Sequence, residues 1–239
     1  MAAEASEKQH LLWRCGGLTF RANFDGGNLG SAKSASESGS FQCTIAPDCQ
    51  GHSEYETPYR MWYHFAVSGG TAGRTIRINI SGINHIAKIY NTDLRPLVRV
   101  LGRSTKWERW VAEFRYRYHG CFHLFFERSL QQPSEFSLES GATLSLRFTY
   151  TFVCSEEVHF AFYYPFSYSD CQRLLGNIDA AMASVTAQQG RVQGKQKKST
   201  QGSQVPMYFH RELLTHSLQG RRVELLTITD CSGKGSIRE

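Results

Sequence analysis

Three residues in one short stretch have the types that ligate metals. Cys43, Cys49 and His52 stand in CTIAPDCQGH at C-x5-C-x2-H spacing. A structural zinc site needs four thiolate, imidazole or carboxylate ligands in a tetrahedron. No fourth ligand is spaced nearby, so the three read as loop thiols and a surface histidine. Nine histidines invite a search for hydrolytic metal turns. In such turns, His-x-x-Glu or HExxH brings two side chains to one ion. Here His52 precedes Glu54 and Glu56, His123 precedes Glu127 and His210 precedes Glu212, and neither spacing occurs. The histidines are therefore expected on strand faces or helix surfaces. No G-x-S-x-G nucleophile elbow is present. GGTAGRT at 69–75 echoes a phosphate loop but lacks its lysine and spacing, and reads as a turn between strands. No residue is assigned a catalytic, cofactor-binding or metal-binding role.

Two basic groups remain. Arg191, Lys195, Lys197 and Lys198 read as a solvated loop with some capacity to touch acidic surfaces. Arg77, Arg115, Arg117 and Arg147 alternate with apolar residues along strand-like segments, which makes them candidates for a docking face. The net charge of +6 tilts the whole chain toward acidic partners.

The elements that must position these residues are mostly strands. In RTIRINI, Ile76, Ile78 and Ile80 share one face and Arg77 and Asn79 the other. WVAEFRYRYH sets Trp110, Ala112, Phe114, Tyr116 and Tyr118 against Glu113, Arg115, Arg117 and His119. CFHLFFE groups Phe122, Leu124 and Phe126, and TLSLRFTYTF opposes Leu144, Leu146, Phe148, Tyr150 and Phe152 to Ser145, Arg147, Thr149 and Thr151. Such period-two alternation predicts antiparallel sheets with one wet face each, and a β-sandwich buries them most simply. The aromatic share of 13% suits packed sheets better than helical bundles. Residues 31–40, SAKSASESGS, read as a flexible polar loop within a sandwich domain spanning 1–155.

From Glu156 the character changes. An apolar strand at 158–164 is followed by a helix in which Ser169 and Gln172 have capping-box spacing. Leu174, Leu175, Ile178 and Met182 recur at helical spacing. Residues 186–205 read as a polar, disordered insertion. A short helix at 209–220 and a near-continuous apolar strand at 222–229 follow. Such a strand normally lies inside a sheet covered on both faces. The seven cysteines, Cys15, Cys43, Cys49, Cys121, Cys154, Cys171 and Cys231, form no CxxC pair. The opening residues carry no secretory pattern, so reduced thiols in the cytosol or nucleus are expected. No apolar run approaches the roughly 18 residues of a membrane span.

Three stretches carry a resemblance: FDGGNL at 24–29, FAFYYPFSYSDCQRLL at 160–175, and YFHRELLTHSLQGRRVELLTIT at 208–229. Together with RCGGLTF and YPFSYSDCQ they resemble the cytosolic carboxypeptidases, the tubulin-processing branch of the zinc metallocarboxypeptidases. Gly26 stands where that family usually has an acidic residue or serine. The resemblance implies a mainly β fold, with an N-terminal antiparallel β-sandwich followed at 156–239 by the truncated start of an α/β carboxypeptidase domain. It implies removal of glutamates, branch-point glutamates included, from tubulin tails, with zinc as the cofactor of the full-length enzyme. The first zinc-binding His-x-x-Glu of the family follows the strand matching RRVELLTIT. The chain is therefore expected to be the N-terminal part of such an enzyme, to hold no catalytic zinc and to be inactive alone. The alternative is a non-catalytic module binding tubulin or another acidic partner. The resemblance implies a cytoplasmic location, with cytoskeletal or nuclear sites as alternatives. Membrane and nucleic-acid partners are not expected.

Overall fold

A computed structural model describes residues 11–50, 54–57, 59–84, 94–109, 114–119, 143–192 and 207–230. The chain divides into two compact units, Met1–Ser169 and Asp170–Glu239.

The first unit is a two-sheet sandwich. One sheet has six strands, in spatial order β1 (Leu12–Cys15), β2 (Leu18–Arg21), β5 (His64–Ser68), β11 (Val158–Ala161), β7 (Leu97–Val100) and β8 (Glu108–Arg109). The other has five, in order β3 (Ser31–Ser34), β4 (Ser40–Thr44), β6 (Thr75–Asn84), β10 (Thr143–Thr151) and β9 (Phe114–His119). Neighbours run antiparallel except β4 and β6, which are parallel. Alternation decides which side chains meet between the sheets. Phe20, Phe65 and Phe160 point inward from the first sheet, and Phe41, Phe148 and Tyr150 from the second. Ring centroids of Phe20 and Phe41 lie 5.0 Å apart, and those of Phe148 and Phe160 5.3 Å apart. Truncating one of these rings to alanine would cost about 3–5 kcal/mol, because the cavity cannot fully collapse.

Three expectations are corrected here. Residues 31–40 are not a loop throughout, since β3 pairs with β4 and only the bend between them is irregular. Ala32 is buried in the core, and the Ser31 and Thr44 hydroxyls meet at 2.7 Å. Small polar residues make an adequate strand when only one face must be apolar. The strand at 158–161 opens no second domain. It fits between β5 and β7, so the boundary falls at 169/170 rather than 155/156. Its four residues are all buried, as a central strand requires. The segment CFHLFFE lies outside the described residues.

The second unit consists of α1 (Tyr168–Val192), whose first two residues close the first unit, and a hairpin of β12 (Met207–His216) and β13 (Arg222–Asp230). The helix takes in residues 186–192, which had been assigned to the disordered insertion, and 193–206 lie outside the described residues. Its inward stripe is Leu175, Ile178 and Met182, while Leu174 is half exposed. The third correction concerns 209–220, which is not a helix. Tyr208 to His216 register against Thr229 to Arg222, and a Ser217–Gly220 turn with Gly220 at φ 70° closes the hairpin. Cross-strand pairing with β13 overrides the helical spacing of its leucines. The expected final strand is present as β13, and Val223, Leu225, Leu226 and Ile228 are exposed.

Candidate functional site

The FDGGNL turn seals one face of the six-stranded sheet. Gly27 makes its tight return: a Cβ there would lie 2.2 Å from the Ala22 carbonyl oxygen, and its N–H donates to the Phe24 carbonyl. Asn28 bridges by backbone to His64 and donates its side-chain amide to the Ala46 and Trp62 carbonyls. The Trp62 indole N–H donates to the Gly26 carbonyl at 2.8 Å. Asp25 accepts the Ser169 backbone N–H at 2.7 Å, which takes up a donor that a first helical turn leaves without an internal partner. Ser169 thus lies inside the helix rather than capping it, and Gln172 instead accepts from Arg211.

Beneath the turn lies a polar row that strand register assembles. Arg21 on β2 is opposite Ala66 on β5, Ala66 opposite His159 on β11, and His159 opposite Arg99 on β7. Alanine between them leaves room for long side chains to converge. Arg21 donates twice to Glu157, at 2.7 and 2.5 Å. His159 Nε2 lies 3.0 Å from Glu157 Oε1, and His159 Nδ1 lies 3.4 Å from His64 Nε2. Donors and acceptors fit in one order. His159 Nε2–H donates to the carboxylate, so its Nδ1 accepts from His64 Nε2–H and the His64 Nδ1 lone pair ends the chain. That Nδ1 is buried without a hydrogen-bond partner, as is Arg99 Nε. Phe24 packs on both imidazoles, at 4.7 and 5.1 Å, and Trp107 packs on His64 at 5.4 Å. Arg99 lies over the Trp107 ring at 4.8 Å.

The electrostatics follow from this burial. Desolvation, then the neighbouring His159 and Arg99, pushes the His64 pKa down to about 3, and the Gly26 carbonyl pulls slightly the other way. Burial lowers His159 as well, against the favourable bond to Glu157. For Glu157 burial works upward, but the Arg21 and His159 bonds outweigh it and hold the carboxylate below its ordinary value. At neutral pH the chain is one arginine–carboxylate pair and two neutral imidazoles. It contains no nucleophile, and it fastens the turn to the sheet. With Arg21 partly exposed, breaking the pair would cost about 1–3 kcal/mol.

The other sequence candidates do not converge. Cys43 is wholly buried on β4, its thiol pushed up by desolvation, while Cys49 is exposed and His52 lies outside the described residues. Among the described residues no three metal-ligating side chains come together. Residues 69–75 are the turn between β5 and β6, as expected. His64 and His159 lie on strands, within what was expected of the histidines, but both are buried. For His159 the sequence signal was a histidine inside an otherwise apolar strand, VHFA, two residues after a glutamate. Arg77 and Arg147 alternate with the buried residues of β6 and β10, and register sets Arg115 opposite Arg147 and Arg117 opposite Ser145. Of the cluster at 191–198, Arg191 falls in α1 and the lysines lie outside the described residues. In the second unit Arg211 ties the hairpin to the helix, bonding Glu224 at 2.5 Å and Asp179 and Gln172 at 2.7 Å. Bonds from Arg211 and Arg222 pull Glu224 down to about 2.

Comparison with known proteins assigns this architecture. The model of the cytosolic carboxypeptidase N-terminal domain matches residues 20–163, which run from β2 through β11. The chain is 35% identical to cytosolic carboxypeptidase-like protein 5 of Mus musculus over 95% of its own length and 25% of that protein. It is 30% identical to the Danio rerio protein of the same name, covering 95% of this chain and 24% of that one. It is 26% identical to cytosolic carboxypeptidase 6 of Homo sapiens, over 90% and 33% respectively. The chain spans about a quarter of the length of the first of these relatives. No helix among the described residues is long and apolar enough to cross a membrane. A sandwich matched from β2 to β11 and a likeness that continues through the helix and hairpin place this chain in the cytosolic carboxypeptidase family.

Proposed function

We propose that these 239 residues are the N-terminal part of a cytoplasmic zinc metallocarboxypeptidase that removes glutamates, branch-point glutamates included, from polyglutamylated tubulin. In this reading the sandwich braces the catalytic domain, and zinc and its ligands belong to the longer protein. The observation that carries the reading is the family match over the sandwich, combined with a hairpin whose apolar residues are exposed. Val223, Leu225, Leu226 and Ile228 suit an inner strand of a larger sheet. Residues 1–239 contain no His-x-x-Glu, so alone they should not hydrolyse a peptide bond.

The test compares residues 1–239 with the longest product of the gene, each incubated with a glutamylated tail peptide while free glutamate is measured. Chelator-sensitive release by the longer product and none by 1–239 is expected. Release by 1–239 alone would overturn the assignment, as would silence of a zinc-loaded longer product. A second reading is a non-catalytic module for tubulin or another acidic partner, and Arg77 and Arg147 on neighbouring strands of one sheet, with the net charge of +6, favour it.

A further inference from the structure

The second unit buries little. Among its described residues Leu175 is the one buried apolar side chain. A two-stranded hairpin needs further strands or a packed layer to be stable, and α1 supplies only part of that layer. Asp179 and Gln172 on α1 accept bonds from Arg211, so the helix lies against the hairpin face that holds Arg211, Glu224, Leu226 and Ile228. Ile228 is nevertheless 61% exposed, and Val223 and Leu225 on the opposite face are exposed too.

The two edges of the hairpin differ. β12 is interrupted by a register shift between Leu213 and Thr215, and such bulges blunt a sheet edge. β13 runs nine residues with no proline and no lysine, and its outer edge pairs with no described strand. A long, regular edge of this kind is a template for another strand. The strand that fits it is β13 itself, run backwards. Antiparallel pairing centred on Leu226 sets the Arg222 position of each copy opposite the Asp230 position of the other, so opposite charges meet at both ends. Between them Val223 stands opposite Thr229 and Leu225 opposite Thr227, while Leu226 meets its own copy on the axis. Glu224 stands opposite Ile228, its carboxylate already held by Arg211 and Arg222. Parallel pairing in the same register would instead set arginine beside arginine and glutamate beside glutamate, which opposes association.

We infer that the occupant of this edge is a second copy of the chain, the two β13 strands joining antiparallel into a four-stranded sheet, β12–β13–β13–β12, across a two-fold axis at Leu226. The same edge is used by both copies, so the assembly closes at two. Each β13 becomes an inner strand, which is where a run of apolar residues such as Leu225, Leu226 and Ile228 belongs. The pairing depends on the hairpin alone and is independent of the enzymatic reading.

Sedimentation velocity of the 239-residue chain, kept reduced and run from about 1 to 100 μM, tests this, and a monomer–dimer equilibrium is expected. Asp230→Arg sets arginine opposite arginine at both ends and should weaken the dimer about tenfold. Adding Arg222→Asp to that variant restores opposite charges and should recover most of the loss. A variant that merely unfolds would not be rescued in this way. Leu226→Lys changes a side chain that is exposed in the single copy, sets two ammonium groups together on the axis and should also weaken the dimer about tenfold. A monomer at every concentration would overturn the inference, whether the edge is then bare or covered from within the chain. So would a dimer unmoved by Asp230→Arg and Leu226→Lys, species that grow past two copies, or a double variant that dimerises no better than Asp230→Arg alone.

Discussion

Acidification should loosen the first unit through His64. In the folded chain this imidazole is neutral, its pKa taken from the ordinary 6.5 to about 3 by burial and by the neighbouring His159 and Arg99. In the unfolded chain it protonates as pH falls through 6.5, while the folded form does not until near 3. The unfolded state thus binds more protons between those values, and stability falls as pH falls through that window. Two pH units below 6.5, at pH 4.5, the loss from His64 comes to about 2–3 kcal/mol. His159 is lowered too and adds in the same direction. Glu157 acts in a lower window, because its folded value is depressed. Its contribution is present above the unfolded carboxylate value and is lost only as pH falls through the folded one. The span from 6.5 to 4.5 therefore belongs to the imidazoles. Urea unfolding followed by tryptophan emission reads the first unit selectively, since Trp13, Trp62, Trp107 and Trp110 all lie in it. His64→Leu removes the titrating group together with its unpartnered Nδ1, so its stability at pH 7 should change by only about 1 kcal/mol. Its loss per pH unit should shrink by about 1.4 kcal/mol relative to the parent chain. A parent chain equally stable at pH 6.5 and 4.5 would refute the reasoning, as would an unchanged slope in the variant.

Two further outcomes follow from the packing. Gly27→Ala places a methyl 2.2 Å from the Ala22 carbonyl oxygen and 2.8 Å from its carbon, and both are backbone atoms that cannot swing aside. It should cost about 2–3 kcal/mol in urea unfolding. Gly73→Ala has φ 82° but nothing within 4 Å, so it should cost only about 1 kcal/mol, and equal costs would contradict the close-approach argument. Limited trypsin digestion should cut first beyond Asp170, where one helix and a two-stranded hairpin hold little core, and leave the sandwich intact. Early cleavage within β5, β6, β10 or β11 would count against this.

Alternation made the sandwich legible. Ile76, Ile78 and Ile80 on β6 and Leu146, Phe148 and Tyr150 on β10 read as inward faces in sequence and are buried in the core. Such a pattern shows which side of a strand is dry but not which strand lies beside it, and this is where the reading stopped short. SAKS looked like a loop because its outward residues are small and polar, yet Ala32 is anchored in the core against β4. The segment 209–220 carries leucines at helical spacing, and only pairing with β13 made it a strand. FDGGNL was recognisable as a motif, but the reason for its glycine lies in a carbonyl five residues earlier and its phenylalanine in two imidazoles from distant strands.

What the sequence determined by itself is the set of apolar faces, the turn chemistry and the family, because these are local patterns or long motifs read along one dimension. The tertiary structure alone decided that β11 belongs to the sandwich and that Arg21, Glu157, His159 and His64 form one hydrogen-bonded chain. It also decided which positions stand side by side in the five-stranded sheet, Gln42 opposite Asn79 and Asn79 opposite Arg147. The physical reason is that strand order and register join residues separated by tens of positions in sequence. Hydrogen bonds across a sheet are made by every backbone alike, so side-chain pattern does not encode them.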